Sequence, residues 1–188
     1  MNGADALGRE PADRSRGERP RRNVELKARD DDPARSLAIC GELGAEDRGE
    51  LWQRDTYFTV PHGGLKLREQ APGRPHLIQF QRADQEQERE SRYRIVEVAD
   101  AGVLTAALDA ALGVRGAVEK RRRLLLWRDV RIHLDTVEGL GTFLELEAVA
   151  PPDSDLALEH ERVAFLREAL AIDDARLVPV GYAALLGL

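Results

Sequence analysis

Charged side chains recur at every second position in several segments of the chain, and in most of these segments apolar residues fill the positions between them. The charged positions are Glu25 and Lys27, Lys66 and Arg68, Lys120 and Arg122, Arg131, His133 and Asp135, and Glu145 and Glu147. Leu26, Leu67, Ile132 and Leu146 are among the apolar residues that separate them. Residues i and i+2 of a β-strand share a face. The pattern therefore predicts strands with one charged face and one apolar face.

Turn and capping residues divide the chain into eight predicted strands and four predicted helices. The strands are expected at about 23–30, as four segments between about 50 and 98, and at about 114–127, 130–138 and 142–149. The helices are expected from Asp32-Pro33 to Gly44, from Asp100 to Gly113, from about Asp153 to Leu170, and after Pro179. Asp before Pro is typical of a helix N-terminus, and glycine is typical of a helix end.

An antiparallel sheet of this size predicts a closed architecture, because large sheets tend to curl or close. Helices can cover the apolar faces from outside, which turns the charged faces inward. The predicted fold is therefore α+β, a closed eight-stranded antiparallel β-barrel with helices packed outside. Its interior would combine a cationic surface with a carboxylate cluster, which suits a polyphosphate and its metal ion.

A sheet with one face in water shows the same alternation, so a solvated polar face is the alternative interpretation. Two details favour a site. These strands use charged residues with few neutral polar ones, and Asp135, Glu145 and Glu147 lie near one predicted hairpin at residues 138–141. Clustered carboxylates repel one another, so they need a divalent cation or a Lys or Arg beside them.

Composition narrows the classes of partner. The 188 residues carry a formal net charge of −6, whereas proteins that bind nucleic acids or membrane surfaces usually have a basic excess. Residues 1–22 are rich in Arg, Gly, Pro and acids, which predicts a disordered arm before one domain at 23–188. Cys40 is the single cysteine, so no intrachain disulfide is expected. No signal-peptide or membrane-span pattern is evident, and a cytoplasmic location is expected.

The segment NVELKAR, residues 23–29, resembles the ExExK opening motif of the CYTH superfamily, the triphosphate tunnel metalloenzymes. Later segments match the strands and final helix of that family in order: DTYFTVPHGGLKLRE, LIQFQRADQEQERESRYRI, VEKRRRLLLW, RIHLDTVEGLGTFLELEAV and GYAALLGL. The resemblance covers about residues 23–188. It implies a closed eight-stranded antiparallel barrel that holds a triphosphate in its lumen.

The resemblance also implies roles for individual residues. The ligands of Mg²⁺ or Mn²⁺ would be Glu25, Asp135, Glu145 and Glu147. The substrate contacts would be Lys27, Lys66, Arg68, Arg82, Lys120, Arg122 and Arg94. The catalytic residues would be Lys27, Lys120 and Glu145. These residue types suit the task, since Arg grips phosphate oxygens in bidentate fashion, Lys acts as a point charge, and Mg²⁺ prefers oxygen ligands.

Two positions depart from the family pattern. Asn23 replaces the first Glu of ExExK and removes one carboxylate, which affects metal stoichiometry. Gly64 stands where relatives have a basic residue, which would shrink the cationic surface and widen the entrance for a bulkier group. His133 shares the face of Asp135 and is read either as a neutral hydrogen-bonded histidine or as a catalytic group, and Tyr182 is expected to be a packing anchor.

Three hypotheses describe what a tunnel of this kind does, and the resemblance implies the first two. The order GLG-F, Glu and a terminal YxxLLG is most similar to the class IV adenylyl cyclase branch, which converts ATP to cyclic AMP and pyrophosphate. Hydrolysis of inorganic triphosphate or thiamine triphosphate is the alternative. A non-catalytic module that binds triphosphate or polyphosphate is a third hypothesis, motivated by Asn23. The resemblance also leaves a homodimer open.

Overall fold

The protein is an eight-stranded antiparallel β-barrel with helices on its outer surface. A computed structural model describes residues 20–82 and 89–188. The strands are β1 (Arg21–Arg29), β2 (Glu46–Phe58), β3 (Gly64–Ala71), β4 (His76–Arg82), β5 (Arg89–Glu97), β6 (Val114–Trp127), β7 (Val130–Val137) and β8 (Gly141–Ala150). The helices are α1 (Pro33–Glu42), α2 (Ala101–Leu112), α3 (Ala157–Ala169) and α4 (Tyr182–Leu185). A short 3₁₀ turn at Asp174–Arg176 precedes α4. The predicted fold class is confirmed.

Two meanders and one inserted strand close the barrel. β2 to β5 pair in chain order, as do β6 to β8. β1 lies between β5 and β8, and β2 pairs with β6, so every strand has two neighbours. A closed barrel of this kind has no exposed sheet edge. The order around the barrel therefore departs from the simple consecutive order that the turn signals indicate.

The capping residues that the sequence predicts do cap the helices α1 and α2. The Asp32 carboxylate accepts a hydrogen bond from the backbone N–H of Arg35, and Pro33 follows at the first helical position of α1. Asp100 caps α2 by accepting from the backbone N–H of Val103, and Gly113 ends α2 with a positive φ of 79°. These bonds satisfy backbone groups that the ends of a helix leave without intrahelical partners.

The main apolar core lies outside the barrel, between its wall and the helices. Val24, Leu26, Ile132, Leu144 and Leu146 are buried on the outer faces of β1, β7 and β8, and they pack with side chains of α1 and α3. A second cluster joins α2 to the outer faces of β2 and β3. This confirms that the helices cover the apolar faces and that the charged faces turn inward.

Two helices carry exposed apolar side chains. Val103 of α2 is 68% exposed, while Leu104, Leu108 and Leu112 of the same helix pack on the barrel. In α3, Phe165 is 47% exposed and stacks on Trp127 of β6, and Leu158 is also exposed. Apolar periodicity alone does not separate a core contact from a partly exposed surface contact.

The short helix α4 covers one end of the barrel. Tyr182 packs with Val118, Val137 and Phe143, and these four residues are all buried. The rings of Tyr182 and Phe143 meet edge to face, with centroids 5.0 Å apart. Tyr182 therefore is a packing anchor, as expected, and it also closes this end with an apolar layer.

The predicted arm at residues 1–22 lies mostly outside the described residues. Its last two residues, Arg21 and Arg22, belong to β1, so the barrel begins two residues earlier than expected. None of the helices in the described part of the chain is both long enough and apolar enough to cross a membrane.

Candidate active site in the barrel lumen

The lumen is a cavity of about 380 Å³ that most strands line with charged or polar side chains. Among the residues predicted for the site, those that line it are Glu25, Lys27, Lys66, Arg68, Lys120, Arg122, Glu145 and Glu147. Arg131 and His133 also line it. The strand register explains the convergence, because Lys27 lies opposite Glu145 and Glu145 lies opposite His133 on adjacent strands. The predicted i, i+2 pairs therefore do meet in one space.

Arg122 is the centre of a buried cluster, which we call the inner ion network and define as Lys27, Lys120, Arg122, Asp135 and Glu145. Its guanidinium binds Asp135 in bidentate fashion, with Nε to Oδ1 at 2.7 Å and a terminal nitrogen to Oδ2 at 2.6 Å. The same terminal nitrogen donates to Glu145 Oε2 at 2.8 Å. Lys120 Nζ lies 3.7 Å from Asp135 Oδ2. One guanidinium thus neutralises two buried carboxylates.

Glu145 connects this network to β1 and β7. Its Oε1 lies 3.3 Å from Lys27 Nζ, and its Oε2 lies 3.3 Å from His133 Nδ1. Burial raises the pKa of Glu145, but Lys27, the His133 hydrogen bond and Arg122 outweigh it and hold the pKa well below its usual value. Glu145 is therefore an anion across the neutral pH range.

Tyr182 connects the inner ion network to the helix that covers the end of the barrel. Its hydroxyl donates to Asp135 Oδ2 at 2.9 Å. Burial and the charge of Asp135 raise the pKa of Tyr182 well above its ordinary value, so the hydroxyl keeps its proton. The ammonium groups of Lys27 and Lys120 lie 4.1 and 5.0 Å from the centre of its ring. This face attraction helps to hold both cations in the lumen.

A second ion cluster lies on β2 and β3. Asp55 accepts two hydrogen bonds from Arg68, both at 2.7 Å, and one from Lys66 Nζ at 2.8 Å. Burial raises the pKa of Asp55, but Arg68 and Lys66 outweigh it and hold the pKa well below its usual value. Asp55 therefore fixes both cations on the lumen side of β3.

Lys120 differs in its ionisation from Arg68 and Arg122, whose pKa values are raised by the carboxylates beside them. Burial and the neighbouring Arg122 lower its pKa to about 7, against smaller opposing effects of Asp135 and Asp55. The pKa of His133 is also lowered, first by burial and then by Arg122, although Glu145 opposes this. His133 is therefore a neutral hydrogen-bonded imidazole at neutral pH, one of the two interpretations of the sequence.

Comparison with known proteins identifies the family. The CYTH domain model matches residues 21–182, which is most of the chain. The chain belongs to the CYTH family. A search of curated proteins finds no match to the sequence.

Solved structures share the CYTH fold with this chain. The PH1012 protein of Pyrococcus horikoshii is 25% identical over 87% of this chain and 98% of its own, with a TM-score of 0.77. A candidate adenylate cyclase of Vibrio parahaemolyticus is 20% identical over 88% of this chain and 98% of its own, with a TM-score of 0.72. A candidate adenylyl cyclase of Hippeastrum with a dominant triphosphatase activity is 15% identical over 89% and 95%, with a TM-score of 0.59.

The CYTH family implies a divalent metal, and Glu25 and Glu147 are the residues that fit one. They lie opposite each other on β1 and β8, and both line the lumen. The Asn23 amide donates to Glu147 Oε1, while the buried Asn23 Oδ1 has no hydrogen-bond partner. Arg131 lies 3.3 Å from Glu147 Oε2. We call Glu25 and Glu147 the acidic edge.

The donor set at the acidic edge suits Mg²⁺ or Mn²⁺ that also binds substrate oxygens. Among the described residues, no group of three or more His, Cys, Asp or Glu forms a complete metal cage. Mg²⁺ commonly uses one or two carboxylates together with phosphate oxygens, and it does not require such a cage. An oxygen of Asn23, left without a hydrogen bond, is a further neutral donor beside the two carboxylates.

Asp135 is held by its neighbours in the barrel wall. Its side chain is fully buried behind the lumen lining, and both oxygens accept hydrogen bonds from Arg122, with Tyr182 as a further donor. These contacts favour a role for Asp135 in positioning Arg122. Its assignment as a metal ligand stays a prediction.

Arg94 is misplaced by the sequence pattern. Ser91, Tyr93 and Ile95 are the β5 residues that line the lumen, so Arg94 lies on the outer face and bonds to Gln79 there. The prediction that it contacts substrate in the lumen is wrong, because on β5 the charged face is the one in water. Arg82 ends β4, and its side chain lies outside the described residues.

Two functional candidates on β2 were missed. Asp55 and Tyr57 line the lumen and contact Lys66, which is 5.7 Å from the ring centre of Tyr57. The segment WQRDTYF has a charged residue on each face, Arg54 outside and Asp55 inside. It therefore lacks the repeated charge at i and i+2. Apolar alternation does not identify the lumen face of this segment either. The available signal was that Asp55 could pair with the basic residues Lys66 and Arg68 on the next strand.

Proposed function

We propose that this CYTH protein is a metal-dependent enzyme that acts on a triphosphate inside the barrel. The observation that carries the proposal is the juxtaposition of lumen cations with the acidic edge. Lys27, Lys66, Arg68, Lys120 and Arg122 are all within the same cavity as Glu25 and Glu147. A cavity that focuses several cations attracts a polyanion strongly. The two carboxylates would hold a divalent ion, which would neutralise part of the phosphate charge.

The lumen residues have different roles in this proposal because their side chains differ in charge and ionisation. Arg68 and Arg122 are held by Asp55 and Asp135, so their guanidinium groups are already oriented when a phosphate arrives. Such preorganised charge stabilises the transition state of phosphoryl and nucleotidyl transfer. Lys120, with a pKa of about 7, exchanges a proton at neutral pH. A metal ion held by Glu25 and Glu147 would supply further charge neutralisation to the phosphates.

The reaction that we propose is class IV adenylyl cyclisation. The 3′-hydroxyl of ATP attacks the α-phosphorus, a new P–O bond forms, and the bond to the β-phosphate oxygen breaks. The products are cyclic AMP and pyrophosphate, and the hydroxyl proton passes to solvent. The GLG-F and YxxLLG elements of the sequence support this branch. A cytoplasmic location remains part of the proposal.

Hydrolysis of inorganic triphosphate or thiamine triphosphate is the alternative reaction. Water then attacks the terminal phosphorus, and the same cations stabilise the developing charge. The Hippeastrum neighbour with its dominant triphosphatase activity keeps this alternative open. At 20% and 15% identity, the two cyclase-named neighbours share the fold and do not choose between the reactions.

The test is product analysis with three substrates. The protein is incubated with ATP, inorganic triphosphate or thiamine triphosphate, with Mg²⁺ or Mn²⁺, and the products are separated by chromatography. Equal amounts of cyclic AMP and pyrophosphate support the cyclase. Release of orthophosphate supports the hydrolase. Binding without turnover contradicts an enzyme and supports the binding module.

A matched pair of variants ties any turnover to the lumen. Lys120→Ala removes a lumen cation, whereas Arg121→Ala removes the next residue, which is exposed on the outer face of β6. We expect Lys120→Ala to abolish turnover and Arg121→Ala to keep it. Turnover that survives Lys120→Ala would place the reaction outside the proposed site.

A further inference from the structure

We propose that the β4–β5 side of the lumen binds the aromatic base of an organic triphosphate, a specificity that rests on the proposed function. The lumen-facing side chains on this side are Ser91 and four larger, mainly apolar residues, Ile78, Phe80, Tyr93 and Ile95, which we call the apolar wall. Within the described parts of β4 and β5, the lumen lining contains no charged side chain. All the other strands contribute charged groups, so the lumen has two chemically different sides.

Phe80 occupies space that Gly64 leaves open. The two residues lie opposite each other on β3 and β4. A Cβ at position 64 would lie 2.2 Å from Cζ of Phe80, so any side chain larger than hydrogen would displace the ring. The expectation that Gly64 widens the entrance is therefore incomplete, because an aromatic ring fills the place of the missing basic side chain.

The apolar wall adjoins the phosphate-binding cations directly. Lys66 Nζ lies 5.8 Å from the ring centre of Phe80 and 5.7 Å from that of Tyr57. Lys66 also bonds to Asp55, so its position between the two rings is fixed. A substrate with phosphates on Lys66 and Arg68 would place its next group against Phe80 and Ile78.

The chemistry of the wall selects the class of substrate. Phosphate oxygens gain no hydrogen bond from Ile or Phe side chains and lose water there, which is unfavourable. An aromatic heterocycle instead gains stacking and apolar contact with the same surface. The cavity of about 380 Å³ also falls in the range of about 300–1,000 Å³ typical of sites for organic ligands. The wall therefore fits a nucleoside or thiamine triphosphate better than inorganic triphosphate.

The test compares affinities in EDTA, where metal-dependent turnover does not occur. Isothermal titration measures ATP, thiamine triphosphate and inorganic triphosphate against wild type, Phe80→Ala and Gln81→Ala. Gln81 is the next residue of β4 and is exposed on the outer face, which makes it the matched control. We expect Phe80→Ala to weaken the preferred organic triphosphate about tenfold and inorganic triphosphate by less than about twofold. Gln81→Ala should leave all three unchanged.

A second variant tests the apolar wall without creating a cavity at position 80. Gly64→Lys adds a cation and displaces the Phe80 ring, and the backbone of Gly64 is in a region open to other residues. We expect it to weaken the organic triphosphate and to strengthen inorganic triphosphate, which reverses the preference. Circular dichroism checks that both variants keep the strand content of wild type.

The outcomes distinguish the base-binding wall from the proposed function, and they distinguish adenine from thiamine as the bound group. The organic triphosphate that loses more affinity in Phe80→Ala identifies whether the base is adenine or thiamine. An equal loss for all three triphosphates would overturn the base-binding wall and leave the tunnel function standing. Wild-type protein that binds none of the three, either in EDTA or with Mg²⁺, would overturn the proposed function itself.

Discussion

The inner ion network and the apolar wall line one lumen, but the first consists of buried charges and the second of mainly apolar side chains. In the network, Asp135, Glu145 and Arg122 are buried charges that are tolerated because they pair with one another. On the wall, Ile78 and Phe80 are partly or fully buried apolar groups that need no partner. Burying a charge without a partner is unfavourable, whereas burying an apolar group is favourable. The network must therefore be geometrically specific, whereas the wall need only be complementary in shape.

The comparison also explains how one cavity can hold two parts of a substrate. The phosphates need cations whose orientation is fixed in advance, and Asp55 and Asp135 provide this for Arg68 and Arg122. The organic group needs a surface that excludes water, which the apolar wall offers. Changes on the network should therefore affect both stability and every triphosphate, and changes on the wall should affect only organic ones.

The largest effect should follow from breaking the network at its centre. Arg122→Ala leaves Asp135 and Glu145 buried without their main partner, and removal of one member of a buried ion pair costs about 3–5 kcal/mol. We expect a loss of this size in the free energy of unfolding, measured by urea denaturation. We also expect triphosphate turnover to fall below detection.

The neighbouring residue gives the control for that loss. Arg123 forms an exposed ion pair with Asp47 on the outer face of the barrel, and such pairs contribute less than about 1 kcal/mol. Arg123→Ala should therefore unfold near the wild-type urea concentration and keep its turnover. If both variants lost the same stability, the distinction between a buried network and a solvated outer face would be wrong.

The second-largest effect should distinguish the residues that bind the metal ion from those that position other side chains. Glu25→Gln or Glu147→Gln should weaken Mn²⁺ binding at least about tenfold, because each removes a carboxylate from the acidic edge. Asp135→Asn should leave Mn²⁺ affinity near wild type but lower the free energy of unfolding, because it breaks the bidentate pair with Arg122. Electron paramagnetic resonance of free Mn²⁺ measures the affinities. Equal weakening by Asp135→Asn would support Asp135 as a ligand.

The sequence predicted the charged side well, and a physical reason explains this. Glu25 and Lys27, or Glu145 and Glu147, stand at i and i+2 between apolar residues, and a strand turns such pairs to one face. The helices α1 and α3 then bury the apolar face, so the charged face has to be the inner one. Local pattern and tertiary packing agree on those strands.

The same reasoning failed on β5, where the charged residues Arg92 and Arg94 are exposed on the outer face. On β5, Arg92 and Arg94 alternate with Ser91, Tyr93 and Ile95, and the charged face is the outer one. Alternation shows that two faces differ and does not show which one is inside. For Asp135 the pattern could not reveal the contacts, because only the three-dimensional structure shows that its oxygens accept hydrogen bonds from Arg122 and Tyr182.

A smaller effect concerns the ionisation of Lys120, whose pKa of about 7 arises from burial and the nearby Arg122. A lysine is cationic below its pKa, so affinity for inorganic triphosphate in EDTA should fall as pH rises above 7, by up to about tenfold per pH unit. Triphosphate binding should also take up a proton near pH 7, because a bound anion raises the pKa of Lys120.

Lys120→Met isolates this titration. The terminal phosphate of the substrate ionises in a similar range, and His133 is also close to the network, so the wild-type profile contains more than one group. The difference between the wild-type and Lys120→Met profiles, measured by isothermal titration from pH 6 to pH 8.5, reports Lys120 alone. Parallel profiles would show that Lys120 keeps its charge throughout this range.

The smallest effect tests the departure at Asn23, where the charged side lacks a carboxylate. The Asn23 amide donates to Glu147, so Asn23→Glu replaces a hydrogen-bond donor with a repelling anion beside Glu147. Without metal the variant should melt at a lower temperature than wild type. With Mn²⁺ it should regain more stability than wild type, because a ligand that binds only the folded state stabilises it in proportion to the logarithm of its affinity. We expect the Mn²⁺ affinity to rise severalfold, and Asn23→Gln is the neutral control. An unchanged Mn²⁺ response would mean that two carboxylates already suffice and that Asn23 does not limit metal binding.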